Sequence, residues 1–270
     1  MPATQIIKNL PFMNVAANSV ATLQLPLGPT YERIVLKLGG TSFTKAHLTN
    51  VKCKLNGKTF HEFTGTDLDK MNSYTGLFSD PAFLSIDFTE LMARDELDQS
   101  LGAVAVAQGV AGFTIEATIG AATAPTLDSW SEVSAPRITK DGSIPPINKL
   151  ITMTQNFAAS GKFNFQMPYG LAGGTVIKRV YFMSANMTDL EVKKNGQVIF
   201  DSPKAVNEFM QKEHKNTPQA GMFVYDPIWD NNASGMLLTT DAASMEWNIT
   251  LSAGETVRVY IECIDPLGNL

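Results

Sequence analysis

Two stretches of the sequence, LTNVKCKLNGK at Leu48–Lys58 and MTDLEVKKNGQ at Met187–Gln197, resemble each other along their length. In both, apolar and polar residues alternate up to an Asn-Gly pair, Asn56-Gly57 in the first and Asn195-Gly196 in the second. Alternation indicates a strand with one buried face, and Asn-Gly favours a two-residue hairpin because both turn residues need positive φ. The turns lie 139 positions apart (195 minus 56) in a chain of 270 residues. The sequence therefore predicts an internal duplication.

Other features repeat in the same order on either side of these turns. The pairs are Pro26-x-Gly28 with Pro168-x-Gly170, Arg33–Lys37 with Lys178–Phe182, Asp80-Pro81 with Asp226-Pro227, and the strands Phe113–Glu116 with Val259–Glu262.

A short helix is predicted after each hairpin, at Thr66–Tyr74 and at Ser202–His214. The second begins Ser-Pro-Lys, a capping residue followed by proline at the first helical position. It places Val206, Phe209 and Met210 on one face. Both helices are expected to cover a core.

Prolines and glycine interrupt the alternation between the halves, at Pro136, Gly142, Pro145 and Pro146. This predicts a proline-rich linker at 126–149 between a first domain at 1–125 and a second at 150–270. Each half then has about eight short strands, with its helix after the fourth. The expected fold is all-β, with two consecutive eight-stranded jelly rolls. An immunoglobulin-like sandwich would have about seven strands and no place for the repeated helix.

Composition limits the possible partners. The net charge is −5 and no run of Lys or Arg exceeds two residues, so direct nucleic-acid binding is not expected. Charged residues make up only 17% of the chain, which fits a surface largely buried in contacts. Cys53 and Cys263 are expected to be free thiols. The N-terminal MPATQIIKNLPFMN lacks the pattern of a signal peptide, so assembly in a reducing host cytoplasm is expected.

Three stretches near the N-terminus form a distinctive pattern: Asn14-Val-Ala-Ala17, Asn18-Ser19 and Leu25-Pro-Leu-Gly-Pro-Thr-Tyr-Glu32. They resemble the opening of the major capsid proteins of corticoviruses, which are tailless icosahedral bacteriophages with a membrane inside the protein shell. It implies a double jelly roll and a homotrimer with a pseudo-sixfold outline that tiles a virion capsid. Neighbouring capsomers, a vertex (penton) protein and the internal membrane or its proteins are the implied partners.

Residue patterns for catalysis are not found. His47, His61 and His214 do not form the His-x-His pair of a metal-binding cupin, and His47 and His61 are expected to lie on the surface. The glycine-rich Gly170–Lys178 lacks the Gly-Lys-Ser/Thr of a phosphate loop. No catalytic, cofactor-binding or metal-binding residue is therefore assigned. Structural calcium is possible at two loose acidic groups, Asp95, Glu96 and Asp98, and Asp226, Asp230 and Asp241.

Two functions from different classes remain open. The first is a capsid building block, which is not an enzyme. The second is a secreted carbohydrate-active double jelly roll, either a glycan amidase with a carboxylate pair in a cleft or a lectin. Trp130, Trp229 and Trp247 are its candidate sugar platforms, although Trp247 lies in an alternating strand and is expected to be core.

Overall fold

A computed structural model describes residues 4–139, 145–167 and 175–266 of the chain. Its regular structure consists mostly of short strands, as the alternating pattern predicts. The first half contains β1 (Gln5–Lys8), β2 (Ser19–Leu25), β3 (Thr30–Gly39), β4 (Leu48–Leu55), β5 (Lys58–Phe63), α1 (Gly65–Tyr74), β6 (Phe83–Asp87), α2 (Glu96–Gln99), β7 (Val104–Ala105), β8 (Phe113–Ile119) and β9 (Thr126–Ser134).

The second half repeats this order. It contains β10 (Ile147–Phe157), β11 (Gly161–Phe165), β12 (Val176–Met183), β13 (Met187–Lys194), β14 (Gln197–Pro203), α3 (Lys204–Glu213), β15 (Met222–Tyr225), β16 (Leu237–Leu238), β17 (Met245–Leu251) and β18 (Glu255–Asp265). Single 3₁₀ turns occur at Lys45–His47 and Ala233–Gly235.

Each half is a sandwich of two antiparallel sheets. In the first roll the strand orders are β1-β9-β3-β6 and β2-β8-β4-β5, and in the second they are β10-β18-β12-β15 and β11-β17-β13-β14. The short strands β7 and β16 extend β3 and β12 in the same way. The two orders match strand for strand, which confirms two jelly rolls and the predicted duplication.

Both hairpins have the predicted turn. Asn56 and Gly57 have φ of 51° and 79°, and Asn195 and Gly196 have φ of 52° and 76°. Asparagine and glycine tolerate this left-handed backbone better than other residues, which explains the recurrence of the pair.

The predicted linker is wrong for Thr126–Ser134. These residues form β9, which pairs with β1 and β3 inside the first roll, and β10 already begins at Ile147. Ser129 and Ser131 occupy two of its buried positions between Leu127 and Val133, which interrupts the apolar alternation that would reveal the strand. The helix α1 follows the fifth strand instead of the fourth because β1 was also missed.

Because the sequence did not predict β9, some of the predicted equivalences between the two halves are also shifted. Because β9 is the equivalent of β18, the strand equivalent to β8 is β17. Phe113–Glu116 therefore does not match Val259–Glu262. Arg33 corresponds to Arg179, one residue beyond the predicted Lys178, since both arginines follow a β-bulge and pair with a glutamate. Pro168, Gly170 and the glycines up to Gly174 lie outside the described residues.

The two helices have different environments. α1 buries Leu68, Met71 and Tyr74, as expected for a helix that covers a core. α3 instead buries Asn207 and Gln211, whose amides both donate to the carbonyl of Val224. Its apolar side chains face outward, so Val206 is 51% and Phe209 58% exposed. The expectation that α3 covers a core is wrong.

Cys53 and Cys263 are free and buried, which confirms the prediction for both. Burial raises the pKa of each thiol, to about 12 for Cys263, so little reactive thiolate forms at neutral pH. We expect neither thiol of the native protein to react fast with a thiol reagent, and both thiols to react once the protein is denatured. Fast reaction of either thiol in the folded protein would contradict this burial.

Candidate functional site: the joint between the two rolls

A buried ion cluster joins the rolls around Arg179 on β12. Its Nη1 and Nη2 donate to the two carboxylate oxygens of Glu90, both at 2.8 Å, and its Nε donates to Asp226 Oδ2 at 3.1 Å. Glu90 lies in the loop after β6 of the first roll, whereas Arg179 and Asp226 belong to the second. The planar guanidinium thus connects the two rolls through a bidentate contact.

Lys178 extends the cluster on the bulge of β12. Its Nζ lies 3.0 Å from Glu90 and 2.7 Å from Glu262 of β18, and it is as deeply buried as Arg179. Tyr181 donates to the second oxygen of Glu262 at 3.1 Å. Two cations and the carboxylates of Glu90, Asp226 and Glu262 therefore share this interior.

These contacts determine the charge states. Burial alone would raise the pKa of the Glu90 and Glu262 carboxyls, but Arg179 and Lys178 lower the pKa of both, that of Glu90 to well below its usual range. The carboxylates of Glu90 and Glu262 stay ionised because the cations are in contact with them, whereas burial raises the pKa of Asp226. The pKa of Lys178 is raised for the same reason, despite its burial.

The strands β5 and β10 form a second connection. They pair in parallel at His61 and Leu150, and Thr152 Oγ1 donates to the carbonyl of Glu62 at 2.6 Å. His61 Nε2 lies 3.0 Å from the carbonyl of Asn148, so this nitrogen carries the proton. The prediction of a surface position is wrong for His61, which is almost fully buried. Burial lowers its pKa from 6.5 to about 4.

The helix α1 makes the third connection. Asp67 accepts from Arg258 Nη1 at 2.9 Å and from the Tyr260 hydroxyl at 2.7 Å, both on β18. At the other end of the helix the Tyr74 hydroxyl donates to Asp226 at 2.9 Å, and its ring packs edge-on against Tyr181. One face of α1 is therefore bound to the second roll.

A cavity of about 60 Å³ lies within this joint. Its walls include His61, Met71, Glu90, Arg179 and Glu262. Its lining mixes polar and apolar side chains, and it is large enough for ordered water. Its ionisable groups are tied into ion pairs and hydrogen bonds, an arrangement suited to holding two rolls in one orientation.

The first roll carries the counterpart of this cluster. Arg33 pairs with Asp87 at 3.1 Å and lies 3.7 Å from Glu132, and these occupy the places of Arg179, Asp226 and Glu262. Asp87, and not the predicted Asp80, is therefore the equivalent of Asp226. The Nε of Arg33 has no hydrogen-bond partner among the described residues. The cluster of the second roll includes Glu90 from the other roll, whereas Arg33 pairs with two carboxylates of its own roll.

The remaining candidate residues do not assemble into a site. His47 bonds to Thr44, and His214 stacks on Trp229 with ring centroids 5.5 Å apart, so both are half-buried. Trp247 is core, as predicted. No cluster of three His, Cys, Asp or Glu side chains able to hold a metal occurs within the three described ranges.

Both acidic groups have protein partners. Asp95 accepts from Leu97 N and caps α2, Asp230 accepts from Asn232 N, and Asp241 pairs with Lys194 at 2.6 Å. Asp226 belongs to the joint. Structural calcium therefore stays a prediction from the sequence.

Family models match almost the whole chain. Residues 6–134 match the viral coat protein P2 N-terminal domain, and residues 147–267 match the viral coat protein P2 C-terminal domain. The chain belongs to the viral coat protein P2 family. This decides between the two open functions, because the family is structural: the chain is a viral capsid protein and not a carbohydrate-active enzyme.

Solved structures show the same fold. The major capsid protein P2 of bacteriophage PM2 is similar with a TM-score of 0.89 at 18% identity, covering 98% of both chains. The MCP of STIV, the Sulfolobus Turreted Icosahedral Virus, is similar with a TM-score of 0.71 at 15% identity, covering 98% of this chain and 97% of that one. A chain of the PBCV-1 virus capsid gives 0.63 at 11% identity, covering 97% and 94%. No curated protein sequence matches the chain.

Replacement of Arg179 tests the joint of this P2-family protein. We expect Arg179→Met to lower the free energy of unfolding by about 3–5 kcal/mol, because Glu90 and Asp226 would remain buried without their cation. Lys54→Met removes a half-exposed partner of Glu116 and should cost about 1 kcal/mol or less. Urea denaturation of the three proteins measures both. Equal losses would show that the joint does not depend on Arg179.

The pH dependence tests His61. Its pKa is lower in the folded than in the unfolded protein, so acid favours unfolding once the pH falls below about 6.5. Between pH 7.5 and pH 5 we expect a loss of about 2 kcal/mol from this residue. His61→Asn should remove that part of the slope, and His47→Asn should keep it. Stability measured by denaturant titration at several pH values checks this, and an unchanged slope in His61→Asn would contradict the assignment.

Proposed function

We propose that the chain is the major capsid protein of an icosahedral virus and forms homotrimeric, pseudo-hexameric capsomers. The observation that supports this most directly is the duplication, which extends from sheet order to the Arg33 and Arg179 clusters. Three chains with two similar rolls each present six similar outer faces, which suits a lattice with six neighbours around each tile. A closed ring needs only one pair of complementary surfaces repeated three times.

Neighbouring capsomers, a vertex (penton) protein and the internal membrane or its proteins are the proposed partners. The corticovirus-like N-terminus supports this set. The described residues contain no helix long and apolar enough to cross a membrane. Contact with an inner membrane would then be made by loops or by another protein. The net charge of −5 argues against direct contact with the genome. We place assembly in the host cytoplasm, where the two buried thiols stay reduced.

Solution mass tests the trimer. The chain has a mass of 29.3 kDa, so light scattering should give about three times this value, roughly 88 kDa, over a wide range of concentrations. Electron micrographs of the same sample should show six-lobed particles. A constant mass near that of one chain would contradict the proposal.

A further inference from the structure

The contact between the rolls within one chain joins two sheet edges. The edge strand β5 of the first roll meets the edge strand β10 of the second, in parallel, and the helix after β5 packs on β18. The duplication gives each roll both elements of this contact. Within one chain, however, only β5 and β10 are used.

The two equivalent edges are free within the described chain. β14 corresponds to β5 and is the last strand in the order β11-β17-β13-β14, while β1 corresponds to β10 and ends the order β1-β9-β3-β6. All four residues of β1 are exposed, with Ile6 at 76%. On β14, Val198 and Ile199 are also exposed. Exposed apolar edge strands are sites where another chain can add a strand.

We infer that β14 and α3 of one copy dock on β1 and β9 of a second copy, repeating between chains the contact that β5 and α1 make with β10 and β18 within each chain. This inference rests on the proposed trimer and specifies its interface. Because the contact is head-to-tail, one repeated interface joins all copies in a ring.

The register of the intrachain contact specifies which residues meet. His61 pairs with Cys53 beside a β-bulge, and Phe200 pairs with Val192 beside the equivalent bulge, so Phe200 takes the place of His61. Leu150 lies opposite Glu262, as Ile6 lies opposite Glu132. The pair His61–Leu150 thus becomes Phe200 facing Ile6 of the next copy. Both residues are apolar.

Beside the predicted contact of Phe200 with Ile6, the two strands carry side chains of opposite charge. Glu62, whose carbonyl accepts from Thr152 within the chain, corresponds to Asp201. Thr152 corresponds to Lys8. Asp201 of one copy would therefore lie beside Lys8 of the next. Both side chains are exposed. A cross-strand pair of opposite charges favours this register over a shifted one.

The helices support the same arrangement. Asn72 of α1 donates to the carbonyl of Ser85 at 2.8 Å, and Gln211 of α3 donates to that of Val224 at 2.9 Å, so the helices sit alike on their rolls. Counted from these residues, Asp67 corresponds to Val206.

The strand on which the helix docks also differs between the two contacts. Tyr260, which Asp67 binds within the chain, corresponds by register to Trp130 of β9. The hydrogen bond from Tyr260 to Asp67 within the chain is therefore replaced, between copies, by a contact of Val206 with the half-buried ring of Trp130. The outward apolar face of α3 thereby gains an apolar partner.

Disulfide trapping tests the pairing. In Ile6→Cys/Phe200→Cys the two Cα atoms of adjacent copies should fall within the roughly 7 Å that a disulfide allows. Mild oxidation should give covalent dimers and trimers on a non-reducing gel. Val20→Cys/Phe200→Cys is the matched control, since Val20 is an exposed residue on the distant edge strand β2. The native cysteines are buried and should not contribute.

The outcomes separate this inference from the proposed trimer. A trimeric wild-type protein with cross-linking in the first variant and not in the control supports the interface. A trimeric wild-type protein whose two variants cross-link equally, or not at all, overturns the interface and leaves the trimer in place. A monomeric wild-type protein overturns both.

Charge reversal provides a second measurement without cysteines. Lys8→Asp and Asp201→Lys should each shift trimer dissociation to at least tenfold higher protein concentration, because like charges would face each other. The double variant should recover most of the wild-type affinity. Single variants with unchanged affinity, or a double variant as weak as the sum of both, would overturn the pairing of these two residues.

Discussion

The relative position of the two rolls depends on the contact between Arg179 and Glu90. A guanidinium and a carboxylate held at 2.8 Å through two parallel hydrogen bonds allow little rotation, and both groups are buried. Their attraction is offset by the loss of hydration, so the contact defines geometry more than it adds stability. Separation of the rolls would break this contact and part Glu90 from both Arg179 and Lys178. The two jelly rolls therefore behave as one body, which a shell subunit requires.

The two clusters differ in the residue at the β-bulge. The bulge that precedes each arginine carries Glu32 in the first roll and Lys178 in the second. Lys178 adds a second cation that contacts Glu90, whereas Glu32 only approaches Arg137 at 3.9 Å. The residue at the bulge thus has opposite charge in the two rolls, and in the second roll it contacts a carboxylate of the first. The sheets beneath these two residues keep the same order and register.

Local signals in the sequence predicted the fold and the hairpins, and they failed where distant polar contacts decide. Asn56-Gly57 and Asn195-Gly196 needed no tertiary information, since their backbone angles select the residues. β9 was missed because its buried Ser129 and Ser131 bond to Asn9, far away in the chain. α3 was oriented wrongly because the amides of Asn207 and Gln211 outweigh its apolar face. The joint gave a weak signal in the sequence, an arginine and a glutamate repeated at equivalent strand positions, that only the correct strand pairing makes visible.

The joint within one chain and the inferred contact between two copies differ in chemistry, because the first forms between tethered domains and the second between separate molecules. Within a chain the rolls are tethered at high effective concentration, so a joint rich in buried charge forms despite its cost in hydration. Separate copies must also overcome the loss of translational and rotational freedom, which favours surfaces that gain by leaving water. The residues change in that direction at three equivalent positions, from His61 to Phe200, from Asp67 to Val206 and from Tyr260 to Trp130. Duplication supplied the geometry once, and substitution adapted one copy to an intramolecular joint and the other to an intermolecular one.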